Sequence, residues 1–167
     1  AFVVDVDVTV HPLAWSRTTF DDGPQAREHG ALMTSSDGAT LFLVGGGAYP
    51  NFPTQETLDD SWQFDVATST WSPWVLSGDV IPPGASRRAA QDGDVVYLFG
   101  GYGSDGKSLD DLFRVNLTTG VVKRLTQVGD APIARSLHAF AFDPQTSSFF
   151  VFGGFTDTAA GQDILGD

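Results

Sequence analysis

Apolar residues in this chain come in short runs, and polar residues break them about every ten positions. Inside a run the alternation has a period of two: Trp62-Gln63-Phe64 sets two aromatics on one side and an amide on the other. A strand covered on one face reads this way, because successive side chains point to opposite faces. No 3.6-residue period persists, and Gly, Pro, Ser and Asp interrupt every stretch, so helices are not expected. The pattern predicts an all-β chain. Its strands fall at 30–34, 40–44, 61–65 and 71–76, then at 88–91, 95–99, 112–116 and 121–127, then at 138–143 and 148–152. Two more are expected near the start, at 2–7 and 15–19.

The pattern also repeats, with a period that marks a modular fold. Leu43-Val44-Gly45-Gly46, Leu98-Phe99-Gly100-Gly101 and Val151-Phe152-Gly153-Gly154 each place a glycine pair after an apolar run. Such a pair is expected to end an inner strand where the backbone turns sharply, since glycine takes positive φ without penalty. Leu58-Asp59-Asp60-Ser61-Trp62-Gln63-Phe64-Asp65 returns as Leu109-Asp110-Asp111-Leu112-Phe113-Arg114-Val115-Asn116. The paired aspartates, recurring with each repeat, read as turn and hydrogen-bonding residues rather than as a catalytic carboxylate pair. A turn and a tryptophan follow: Asp65 leads to Trp71, with Val122 in the matching place of the next repeat. Trp71 is expected to pack between neighbouring sheets. A proline-to-arginine step completes the set, Pro24 to Arg27, Pro83 to Arg87 and Pro132 to Arg135.

These landmarks, in this order and over essentially the whole chain, resemble the Kelch repeat family. The resemblance implies four-stranded antiparallel blades of a β-propeller around a central channel. On that pattern 1–28 is the second half of a blade, 29–78 and 87–127 are blades, and 136–167 is the first half of another. About three blades' worth of strands leave the ring incomplete, since propellers close with roughly four to eight. A complementary propeller chain or fragment is therefore expected to complete it, in preference to a homodimer, covering edges at 2–7 and 149–152.

Charge and composition narrow the partners. The formal net charge is −12, with 21 acidic against 9 basic residues. An acidic surface repels phosphate backbones, so no nucleic-acid partner is expected. No apolar run approaches the roughly 18 residues of a membrane helix, so no membrane insertion is expected either. There is no cysteine, hence no disulfide, thiolate nucleophile or Cys-ligated metal. Asn116-Leu117-Thr118 is a glycosylation sequon, usable only in a secreted chain, and it inclines the localisation that way.

Candidate chemistry is sparse. His11, His29 and His138 have no metal-ligand spacing, and the latter two, next to the arginine step, read as structural. Gly45-Gly46-Gly47 lacks the helix and lysine of a phosphate loop. Kelch relatives that are copper oxidases use a Tyr–Cys crosslink, which a chain without cysteine lacks. Specifier-type relatives hold iron with Glu-x-x-x-Asp-x-x-x-His; here Glu56 and Asp60 are followed by Phe64 where the histidine belongs. No cofactor is expected. In Kelch adaptors of ubiquitin ligases, arginines of the proline-to-arginine step contact acidic peptides. The resemblance thus implies a positive channel rim of Arg27, Arg87 and Arg135, joined by the loops near Tyr49, Tyr102 and Phe155. The expected function is a non-catalytic scaffold binding a protein or peptide through that rim. The alternative is part of a Kelch-propeller enzyme (isomerase, lyase or oxidase) whose site is completed outside this chain.

Overall fold

The computed structural model describes residues 18–51 and 54–167. The strands expected at 2–7 and 15–19 lie wholly or mostly outside these residues, as does His11. Among the described residues there is no helix, and the chain is all-β. Four strands build the first sheet in chain order: β1 (Ala31–Thr34), β2 (Thr40–Asn51), β3 (Thr54–Asp65) and β4 (Thr70–Pro73). All its pairings are antiparallel. The second sheet runs β7 (Arg88–Asp92), β8 (Val95–Phe99), β10 (Leu112–Asn116) and β11 (Val121–Arg124). It gains a fifth strand, β5 (Ser77–Gly78), which continues beyond β4 and pairs parallel with β11. The third sheet has two strands, β12 (Ala139–Asp143) and β13 (Ser148–Phe152).

Local chemistry closes the hairpins. Asp65 and Asn116 end β3 and β10, and each accepts from the backbone N–H and the hydroxyl of the threonine three residues on, at 2.7–2.9 Å. These are Asx turns, in which the side chain supplies a bond the ladder no longer can. Register then carries alternate side chains to one face. Ala31, Met33, Phe42 and Val44 from the first sheet meet Val96, Leu98, Phe113, Val115 and Val122 from the second in the main core. Phe99 and Tyr97 carry the packing on to the third sheet, against Phe140, Phe142 and Phe149.

Three features go beyond what the pattern predicts. The first glycine pair does not end its strand: β2 runs through it to Asn51, with a register shift between Val44 and Gly46. A bulge there lets the strand bend while pairing continues with the long β3. Trp71 packs on the face of the first sheet turned away from the second. It lies on Phe64, 5.0 Å between ring centroids, and Phe20. Trp74 holds the inter-sheet place, buried 4.5 Å from Phe42. The third repeat adds a small hairpin, β14 (Phe155–Thr158) with β15 (Gly161–Ile164), which the hydrophobic pattern does not announce. The remaining short pair is β6 (Gly84–Ala85) with β9 (Tyr102–Gly103).

Candidate binding rim

Each connector that enters a new sheet is stitched to the segment that follows a glycine pair. Glu28 bridges Gly47, Ala85 pairs with Tyr102, and Ser136 bridges Phe155. These bonds gather connectors and post-glycine loops at one end of the sheets, the end opposite the Asx turns. The positions expected to form a rim are therefore brought together, but their side chains divide.

The three arginines turn inward. Their side chains are only 6%, 4% and 2% exposed for Arg27, Arg87 and Arg135. Each donates from Nη1 to the carbonyl of the first glycine of a pair: Gly45 at 3.0 Å, Gly100 at 3.0 Å and Gly153 at 3.2 Å. Arg27 also grips Asp60 with two bonds, at 2.5 and 2.8 Å, and Arg135 grips Asp167 at 2.9 and 3.1 Å. The fork geometry of guanidinium suits such bidentate pairing. Burial pushes the Asp60 carboxyl up, but the bonds from Arg27 and the Trp62 indole outweigh it and hold it below the usual range. The bond from Arg135 does the same for Asp167. Asp60 is thus engaged by Arg27 and Trp62, and Phe64 packs on Trp71.

Arg87 breaks the expected equivalence. A Cβ on Gly45 would sit 2.6 Å from the Gly84 carbonyl, and one on Gly100 would sit 2.5 Å from the Arg135 carbonyl. Gly84 thus stands in the second repeat where Arg135 stands in the third. Arg87, three positions later, folds its guanidinium back into the space that Gly84 leaves empty; its Nε is 3.1 Å from where a Cβ there would be. Its carboxylate partner is longer-range, 4.0 Å to Asp111, which Arg124 binds more closely. Burial pushes the Arg87 guanidinium down to about 10, with Asp111 opposing.

The aromatic members behave differently. Tyr49, Tyr102 and Phe155 all line one open cavity of about 280 Å³. Tyr102 and Phe155 occupy the position of Gly47, and Tyr49 lies two residues further along β2, on the same side of the strand. The Tyr49 hydroxyl donates to Glu28 at 3.0 Å, and that bond to a carboxylate raises the phenol above its usual range. Three more lining residues, His29, Ser86 and Leu137, share a feature the residue types do not reveal. All have positive φ, 55°, 58° and 57°. This conformation is costly for residues other than glycine, and its recurrence at functional sites makes the cluster informative. Ser86 N–H donates to the His29 carbonyl at 2.9 Å, which ties neighbouring connectors together.

His138 faces away from this cavity. It is 2% exposed, packed on Phe99 and Phe140, with neither ring nitrogen hydrogen-bonded among the described residues. Burial, with the charges of Arg135 and Arg88, pushes its imidazole down to about 4. Asn116 lies at the opposite end, its side-chain oxygen engaged in the turn.

No family model matches the chain. Curated relatives do. It is 36% identical over 104 residues to Tip elongation aberrant protein 1 of Schizosaccharomyces pombe, covering 59% of this chain and 9% of that protein. It is 34% identical over 93 residues to Kelch domain-containing protein 2 of Bos taurus, covering 55% and 22%. Acyl-CoA-binding domain-containing protein 5 of Arabidopsis thaliana is 30% identical over 131 residues, covering 78% and 19%. These matches support a Kelch-like family for the chain. It spans less than a quarter of the length of each of these relatives.

Proposed function

We propose that this chain is part of a Kelch-type interaction scaffold that docks a protein partner at the rim cavity. One observation carries the reading: three aromatic side chains, from three successive repeats, converge on one open cavity bordered by strained, mutually bonded connectors. Aromatic side chains supply large contact area at small entropic cost, and interface cores are enriched in them. The relative named for its Kelch domain agrees with this class of role. The arginines serve the scaffold rather than the partner in this reading, because internal carbonyls and carboxylates already occupy them. The ring is completed by further sheets, supplied by another part of the protein or by a complementary chain. Site-specific photo-crosslinking tests the docking face. A crosslinking residue at Tyr102 should capture a discrete protein, whereas one at Thr119, at the opposite end, should not. Equal capture from both positions would reject the rim as the docking surface.

A further inference from the structure

The rim's charge is opposite to the one its arginines suggest. With Arg27, Arg87 and Arg135 buried on internal partners, the carboxylate among the described residues that line the cavity is Glu28, 3.4 Å from the His29 imidazole, and Asp157 lies across from Gln162 in the hairpin that borders it. Glu28 lies at the cavity wall with its side chain 43% exposed, and it holds the Tyr49 hydroxyl. Asp157 accepts the backbone N–H of Ser108 at 2.5 Å and the Gln162 amide at 3.3 Å, bonds that keep it ionised. We propose that the rim cavity takes a lysine or arginine side chain from a basic peptide segment, held between the Glu28 carboxylate and the rings of Tyr49, Tyr102 and Phe155.

The chemistry is complementary at two ranges. Close in, a cation gains from an aromatic face within about 6 Å and from a charge-assisted bond to a carboxylate. Further out, a net charge of −12 draws basic segments toward the surface and speeds encounter. A cavity of about 280 Å³ suits one long side chain rather than a folded domain. An acidic peptide would meet like charge at Glu28, and Arg27, Arg87 and Arg135 are already taken up by internal acceptors.

This inference rests on the rim being the docking surface, and the test separates the two. Fluorescence anisotropy of the full chain is measured with labelled peptides of alternating lysine and glycine, glutamate and glycine, or serine and glycine. The lysine peptide alone should bind. Glu28→Gln should weaken it about tenfold, and Tyr102→Leu with Phe155→Leu severalfold. Asp92→Asn, which removes one exposed charge at the far end of the second sheet, should change it less than twofold. Matching melting temperatures among the variants confirm folding. Equal losses from Glu28→Gln and Asp92→Asn would reduce the effect to a diffuse field and overturn the proposal. Absence of lysine-peptide binding at low salt would also overturn it. Glutamate-peptide binding abolished by Tyr102→Leu would overturn the basic partner while keeping the rim; lysine-peptide binding indifferent to every rim change would overturn both.

Discussion

Arg135 donates to two backbone carbonyls, Gly153 and Ile133, and to both oxygens of Asp167. A buried carbonyl that loses its donor costs the full desolvation of that group, and truncation of so large a side chain also leaves a void. Arg135→Ala should therefore cost about 2–4 kcal/mol in urea denaturation. Arg135→Lys should recover only part of that, since an ammonium cannot serve the same acceptors in a plane. A stability loss under about 0.5 kcal/mol, the range of ordinary surface changes, would mean that the inward clamp is dispensable. The clamp was half legible. The arginines and paired aspartates stand out in the sequence, but the recurring order of proline then arginine makes Arg87 look equivalent, although it follows Pro83 by four residues where Arg27 and Arg135 follow their prolines by three, and Gly84 holds that place. Positive φ at His29, Ser86 and Leu137 had no signal at all, because nothing in those residue types favours it over the ordinary regions. His138 is the residue-scale source of pH dependence. Its imidazole titrates near 4 when folded and in its ordinary range near 6.5 when unfolded, so between those values the unfolded chain binds the extra proton. Stability is then full above about pH 6.5 and falls as pH drops toward 4, by about 2–3 kcal/mol. His138→Phe should flatten that part of the profile and leave the loss below pH 4, where Asp60 and Asp167 protonate, in place.

Strands were the most legible elements, because burial on one face enforces a period of two. Val95–Phe99, Leu112–Asn116 and Ser148–Phe152 fall where the alternation predicts them. The ends were less legible. β2 passes through Gly45-Gly46 by a bulge, and β14–β15 forms from Thr, Asp and Gln that carry little hydrophobic pattern. The glycine pairs mattered for a further reason than turning: they let a connector's backbone lie against a strand end. Gly100 and Gly93 separate the two effects. Both have positive φ, 62° and 56°. Around Gly93 a Cβ meets nothing within 4 Å, whereas at Gly100 it meets the Arg135 carbonyl at 2.5 Å and His138 at 2.8 Å. Gly93→Ala should cost about 1 kcal/mol, the conformational term alone. Gly100→Ala should cost more than about 2 kcal/mol, because the backbone it touches must move. Equal melting temperatures for the two would remove the close-packing argument.

At the scale of the molecule, each sheet presents the same two positions to the next one. Phe42 and Val44 of the first sheet are buried against the second. Tyr97 and Phe99 of the second, at the same distances from their glycine pair, pack on the third. Phe150 and Phe152 hold these positions in the third sheet, and they are 60% and 64% exposed. β13 is hydrogen-bonded only to β12 among the described residues, so its other edge is open as well. An exposed aromatic face beside an open edge is a surface built for a further sheet, and otherwise an aggregation site. The expected occupant is another sheet of the same type, from elsewhere in the protein or from a complementary chain. In isolation the chain should associate, and light scattering should give a mass above 17.8 kDa. Phe150→Asp with Phe152→Asp should return it to a monomer with little loss of stability, since neither ring is buried in the single chain. A folded wild-type monomer at tens of micromolar, with these rings still exposed to solvent by quenching or labelling, would show that the face needs no cover. The docking of a further sheet there would then have to be abandoned.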